Sequence, residues 1–257
     1  MPTYKDQMGR DVAIPATPKR IISLVPSQTE LLHYYGLEQE VVGITKFCIH
    51  PNEWFQSKTR IGGTKNIDIE KVKTLKPDLI IGNKEENTIE DIEALEKIAP
   101  IWMSDINTFE EALEMNLKLG KITNNETKAK QLNKNIKAEK EKCYLQNTKS
   151  AIYLIWNNPF MCAGKATFID SMMTNIGLVN SISESRYPEL SIENIQALEP
   201  ELLLLSTEPF PFDLKHLESI QNQLPNTKVQ LVDGEMFSWY GSRLLKSFAY
   251  FKEIFKN

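Results

Sequence analysis

Apolar residues recur in two short stretches with the same arrangement. Asp68 to Asn83 reads DIEKVKTLKPDLIIGN, and Ser191 to Thr207 reads SIENIQALEPELLLLST. In the first, Ile69, Val72 and Leu75 fall at three-residue steps and so share one face of a short helix. Pro77 then ends the helix, because proline cannot continue it and disfavours helical geometry in the residue before it. Leu79 to Ile81 is an unbroken apolar run, the pattern of a strand covered on both faces. The second stretch repeats this with Ile192, Ile195, Leu198, Pro200 and Leu202 to Leu205. Glu70 and Glu193 hold equivalent places near the two helix N-termini, where the dipole favours a carboxylate.

The rest of the first half alternates in the same way. Residues 1 to 20 read as an extended entry punctuated by Gly9, Pro15 and Pro18. Strands are expected at Ile21 to Val25, Val41 to Ile44 and Pro100 to Met103. A helix opens at Pro26, where Ser27 and Glu30 have capping-box spacing, and closes at Gly36. Another helix is expected at Ile89 to Ile98. FCIHP, from Phe47 to Pro51, and Arg60 to Ile67 read as loops. From Asp105 the character changes. Thr108 and Glu111 have capping-box spacing, and a helix restarts after Gly120 at Thr123 to Glu126. Glu126 to Leu145 is rich in Lys, Glu, Gln and Ala, with Ala129, Leu132, Ile136 and Cys143 as a thin apolar stripe. That composition predicts a helix roughly 30 Å long bridging two lobes.

The second half restarts the alternation. Strands are expected at Ala151 to Trp156 and Val229 to Val232, and helices at Thr167 to Ile176 and Arg243 to Phe255. NNPFMCAGK (157 to 165), SESRYPEL (183 to 190) and the aromatic DGEMFSWYGS (233 to 242) read as loops. The predicted class is α/β: two similar α/β lobes with mainly parallel sheets joined by a single long rigid helix. The boundaries are 1–107, a helical segment at 108–148, and 149–257.

Composition fits an ordinary globular chain of 257 residues, with 41% apolar and 25% charged residues. A net charge of −4 and the absence of a basic stripe argue against nucleic acid as a partner. No apolar run is long enough to span a bilayer, and MPTYKDQMGRDVAIP contains no signal-peptide core, which leaves a cytoplasmic location open. Cys48, Cys143 and Cys162 show no paired spacing, and His33, His50 and His216 are far apart, so neither a disulfide framework nor a metal site is expected. Nucleophile elbows, phosphate loops and triad orders are absent, and no catalytic residue or cofactor is assigned.

Candidate ligand contacts gather where strands end, the place at which open α/β sheets present ligands. They are Phe47, His50, Trp54, Lys65, Asn83 and Lys84 in the first half. In the second half they are Trp156, Asn157, Phe160, Arg186, Tyr187, Phe237, Trp239, Tyr240 and Arg243. Aromatic faces with a few polar groups suit a large, flat, partly apolar ligand.

RIISLVPSQTELLHYYGL (20 to 37), the two repeat copies and the lone bridging helix resemble the substrate-binding proteins of ABC importers for cobalamin and ferric siderophores. The resemblance runs from about Arg20 to Phe255. It is strongest to the cobalamin-binding members, through the NPF-x-x-x-GK loop, SRYPELSIE and the Ser242–Arg243 pair. It implies a non-enzymatic, monomeric binding protein outside the cytoplasmic membrane. Such a protein holds cobalamin or another metal chelate in an interlobe cleft and delivers it to a permease. It implies corrinoid contacts at His50, Asn83, Phe160, Tyr187 and residues 233 to 240, and permease docking through Glu70 and Glu193. His50 stands where the family carries an aromatic, and Gly62 to Ile67 lacks the family's tryptophan. Ferric siderophore or haem is the alternative ligand. Siderophore sites want several cations, and Lys65, Lys84, Arg186 and Arg243 are the ones placed to serve. A cytoplasmic chelate-handling protein or enzyme reusing the fold is the alternative of another class.

Overall fold

The computed structural model describes residues 1–143 and 148–255. Two units emerge. Unit 1 comprises Met1–Ile106, Glu110–Asn135 and Tyr240–Arg243, and unit 2 comprises Asn107–Phe109, Ile136–Trp239 and Leu244–Asn257.

Unit 1 opens on an antiparallel hairpin, β1 (Thr3–Lys5) with β2 (Asp11–Ala13), in the stretch expected as a plain extended entry. Its main elements follow as β3 (Ile21–Ser23), α1 (Pro26–Tyr35), β4 (Val41–Ile44), α2 (Asn52–Ser57) and β5 (Thr59–Arg60). After the small hairpin of β6 (Gly62–Gly63) and β7 (Asn66–Ile67) come α3 (Ile69–Leu75), β8 (Leu79–Asn83), α4 (Ile89–Glu96) and β9 (Ile101–Ser104). The sheet order is β5-β4-β3-β8-β9, all parallel. Ile21, Ile22, Leu79, Ile80, Ile81 and Trp102 are buried, as a sheet covered on both faces requires.

Two long helices follow, α5 (Phe109–Ile122) and α6 (Glu126–Glu141). The restart expected at Thr123 to Glu126 is α6, which begins at Glu126, and Gly120 lies inside α5. Its bare backbone admits α6, since a Cβ there would stand 2.5 Å from that of Ala129. Asn116 Nδ2 donates to Asn133 Oδ1 at 2.8 Å, and Asn133 Nδ2 donates to the Leu113 carbonyl, which fixes the register of the pair. The helix expected to run to Leu145 is described to Glu141, with Cys143 in a turn, and Leu145 lies outside the described residues. Residues 136–141 of α6 are counted with unit 2, so this helix passes from one unit to the other. The chain also passes between them at Ile106–Asn107, Phe109–Glu110, Trp239–Tyr240 and Arg243–Leu244.

Unit 2 contains β10 (Lys149–Trp156), β11 (Phe160–Cys162), α7 (Phe168–Asn175), β12 (Leu178–Asn180), β13 (Glu189–Leu190), α8 (Ile192–Leu198) and β14 (Leu202–Ser206). Then come α9 (Leu214–Gln223), β15 (Lys228–Val232), α10 (Gly234–Ser238), a 3-10 turn at Gly241–Arg243 that belongs to unit 1, and α11 (Leu244–Ile254). β12, β10, β14 and β15 pair in parallel, whereas β11 and β13 add antiparallel strands at the edge.

Several local expectations are corrected. Residues 157–165 are not simply a loop, because β11 folds back on β10 as a hairpin. Residues 233–242 are not a loop either: Asp233 caps α10 through the Glu235 N–H, and the 3-10 turn follows. The Ser27–Glu30 capping box is absent. Val25 occupies the cap without a side-chain bond, Pro26 takes the first helical position, and Glu30 binds Arg243 instead. The two repeat helices end where their prolines direct, at Leu75 and Leu198. Lys76 (φ 45°) and Glu199 (φ 44°) each turn into the left-handed region directly after the last helical residue.

Candidate functional site

The carboxyl ends of β3, β8 and β9 carry a buried polar network in unit 1. Asn83 Nδ2 donates to Ser104 Oγ at 2.9 Å, and its Oδ1 accepts from the N–H groups of Glu85 and Glu86. Gln28 Nε2 reaches the same Ser104 hydroxyl, and Asn87 ties the backbone of Asn83 to Thr64. Asn83 is 3% exposed, so its amide holds the sheet edge together. Trp54 is fully buried in α2, with its indole N–H on Glu38, and serves the core. Tyr240 is buried as well, and desolvation pushes its phenol above the usual range. Arg243, 5% exposed, donates from Nε to Glu30 Oε2 at 2.9 Å and so anchors the 3-10 turn on α1. What unit 1 leaves open beside its sheet edge is the FCIHP loop. Phe47 and Ile49 are exposed, His50 is half-buried, and Lys65 stands exposed nearby in sequence.

Unit 2 presents a different edge. Trp156 ends β10 with 41% exposure, and its ring meets Phe210 edge-on at 5.6 Å. Phe210 in turn packs on Phe212 at 4.8 Å, and both rings stand against His216. Phe160, in β11, is half-buried and packs on the same apolar core as Phe210. Tyr187 is half-buried, with the Arg186 guanidinium 5.3 Å above its ring. Arg186 adopts φ 68° and donates from Nη1 to Asn107 Oδ1 and to the Ala166 carbonyl, both at 2.9 Å. These bonds hold the guanidinium over the tyrosine.

Two of the unit 2 candidates lie deeper. Phe237 is fully buried against Tyr153 and Phe251. Trp239 is 7% exposed and donates its indole N–H to Glu208 at 3.0 Å. Glu208 also accepts from Ser238, and burial raises its carboxyl above the ordinary range despite those donors. Phe210, Phe212, His216 and Glu208 were not among the sequence candidates. The alternating Pro-Phe-Pro-Phe that leaves β14 is the signal that would have found the first two.

Glu70 and Glu193 are each the second residue of their helix, and both are exposed. Asp68 and Ser191 cap those helices by accepting the N–H of Lys71 and Asn194. Glu70 pairs with Lys73 at 2.5 Å. The hydroxyl of Ser191 and the backbone hold the Glu193 carboxyl below the usual range.

Among the described residues no group of three or more His, Cys, Asp or Glu is placed to hold a metal ion, and no helix is long and apolar enough to cross a membrane. All three cysteines are free and buried, and burial pushes the Cys162 thiol up to about 12.

Known proteins share this organisation. An uncharacterized ABC transporter substrate-binding lipoprotein of Bacillus subtilis is 27% identical over 95% of this chain and 82% of its own length. A vitamin B12-binding protein of Vibrio campbellii is 26% identical over 73% of this chain and 70% of its own. The crystal structure of a petrobactin-binding protein from Bacillus subtilis superposes with a TM-score of 0.83 at 20% identity, covering 100% of this chain and 99% of the other. That likeness establishes the two-lobe α/β fold. Residues 21–228 match one protein family, and the chain belongs to it: the periplasmic binding proteins.

Proposed function

We propose that this protein is the substrate-binding component of an ABC importer, and that its ligand is a bulky metal chelate, cobalamin or another corrinoid. The importer part is supported by the family and by the name of the Bacillus subtilis relative. The lipoprotein in that name supports a place outside the cytoplasmic membrane. The corrinoid part is supported by the 26% identity to a vitamin B12-binding protein, and one observation carries it. Unit 2 leaves Trp156, Phe160 and Tyr187 partly open at its strand ends, while most of the cations beside the candidate positions already have protein partners. Arg243 is buried on Glu30, Arg186 is bonded to Asn107, and Lys84 is paired with Asp105 at 2.6 Å. An anionic ferric siderophore would need such cations available, whereas a flat, largely apolar macrocycle needs aromatic faces.

Calorimetric titration with aquocobalamin and, separately, with a ferric hydroxamate tests the ligand. Corrinoid binding is expected, with Phe160→Ala and Tyr187→Ala each weakening it by about 1 kcal/mol or more, roughly fivefold in Kd. Unchanged affinity in both variants rejects these contacts, and exclusive binding of the hydroxamate rejects the corrinoid.

A further inference from the structure

His216 is the third residue of α9, and its surroundings fix its imidazole closely. The Asp213 carboxylate accepts the His216 backbone N–H at 3.1 Å. His216 Nδ1 lies 2.7 Å from Asp213 Oδ1 and 3.2 Å from the Asp213 backbone nitrogen. The two contacts make opposite demands, since the carboxylate wants a proton on Nδ1 and the backbone N–H wants a lone pair there. The carboxylate contact is the shorter one and is ionic, and an unprotonated nitrogen at 2.7 Å from a carboxylate oxygen is repulsive, so the proton resides on Nδ1. In the neutral ring Nε2 then carries the lone pair. Phe210 and Phe212 stand edge-on to the imidazole at 5.2 and 5.7 Å and hold its plane. The side chain keeps 31% of its surface exposed, and Nε2 has no hydrogen-bond partner among the described residues and is not sealed from solvent.

A histidine whose Nδ1–H is held by a carboxylate, with an accessible Nε2, is the arrangement by which proteins orient and strengthen a metal-binding imidazole. One such donor cannot hold a free ion, and no further ligands are grouped with it among the described residues. It can complete the coordination of a metal that arrives already chelated. Phe210 and Trp156 continue from His216 as an aromatic surface at the carboxyl edge of the unit 2 sheet.

We infer that His216 Nε2 coordinates the metal of the incoming chelate, and that the ligand is therefore a planar macrocycle whose metal keeps an exchangeable axial position. This rests on the proposed function and narrows its ligand class. The step is a ligand exchange. The metal–water bond breaks, the Nε2 lone pair forms the new bond, the water leaves, and the proton stays on Nδ1, hydrogen-bonded to Asp213. No oxidation state changes. A ferric hydroxamate with six oxygen donors offers no position for the imidazole.

Visible absorption spectra of the protein titrated with diaquacobinamide, haemin and a hexadentate ferric hydroxamate test this, using the wild type, His216→Gln and Asp213→Asn. Glutamine is a favoured third residue in a capping box, so His216→Gln keeps α9 capped, and its thermal unfolding should match the wild type. Diaquacobinamide is expected to shift its bands on binding to the wild type. The shift is lost in His216→Gln with about tenfold weaker binding, and Asp213→Asn falls between. Binding with an unshifted spectrum, or a shift that survives in His216→Gln, makes His216 a helix cap only and overturns the inference while the corrinoid reading stands. If haemin alone binds, with a histidine-dependent shift, the inference stands and the corrinoid reading falls. Binding of the hydroxamate alone, or of none of the three, overturns both. An unshifted wild-type spectrum overturns the inference even if a variant fails to fold.

Discussion

Glu208 shows how a single carboxylate can be held against its own preference. Its Oε1 accepts from Ser238 at 2.7 Å and from Trp239 at 3.0 Å, yet burial, with Glu235 and Asp233 nearby, favours the protonated form. A carboxyl whose pKa is raised in the folded state binds its proton more tightly there than in the unfolded chain. The stability this contributes is complete below the ordinary glutamate range and is lost as pH rises through the raised pKa. Above the ordinary glutamate range, holding this side chain buried therefore costs unit 2 stability. Glu208→Gln keeps an oxygen for both donors and carries no charge. It should raise the melting temperature at pH 7 and leave it nearly unchanged at pH 4. Scanning calorimetry at the two pH values checks this, and an equal shift at both would mean that charge is not the cause. Neither Glu208 nor the Arg243–Glu30 pair could be read from the sequence. The pair spans 213 positions, and nothing local to Arg243 announces a partner on α1. Asn83 is ambiguous for a related reason, because a polar residue at a strand end suits either a ligand or a buried network.

At the scale of elements, what could be read depended on how much periodicity each segment contained. The two repeat copies did so because Ile, Val and Leu fall at helical spacing and a proline precedes each apolar run. β11 escaped because a three-residue strand has too few positions to show alternation, and Asn157 to Pro159 looks like the start of a longer loop. α9 went unassigned because LKHLESIQNQ has only three aliphatic residues, and of these Ile220 alone is buried. The packing of α5 on α6 was hidden at Gly120, a point of close approach that its place in the sequence does not reveal. This gives a prediction of opposite sign to helix propensity. Gly120→Ala should gain about 1 kcal/mol from propensity. The new methyl would stand 2.5 Å from Ala129 Cβ and 3.3 Å from the Asn125 carbonyl oxygen, and relief requires the helices to separate. Overpacking of this kind costs about 1–3 kcal/mol, so net destabilisation is expected. Urea unfolding measures it. Gly120→Ala paired with Ala129→Gly should recover most of the loss, because the second change removes the atom that is struck.

For the molecule as a whole, the repeated helix start matters most. α3 and α8 each follow a side-chain cap, each place a glutamate second, and each end in a left-handed residue before a buried parallel strand. One unit alone would make Glu70 or Glu193 an ordinary first-turn acid. Two units with the same residue at the same step make a matched pair of exposed carboxylates, and we propose that they dock on arginines of a two-fold permease. Bidentate arginine–carboxylate pairs give directional, charge-assisted bonds. Complementary charge at a partner surface governs orientation and encounter more than it governs affinity for a ligand held elsewhere. Replacing both glutamates by alanine should leave chelate binding in solution unchanged and abolish stimulated uptake by the cognate permease in reconstituted vesicles. The single variants should each retain part of the uptake, because one anchored unit still meets the partner. Glu70 is engaged with Lys73 in the free protein, so Lys73→Ala should leave uptake intact or raise it by releasing the carboxylate. Wild-type transport by the double alanine variant would return both residues to the role of helix-start acids that serve only α3 and α8.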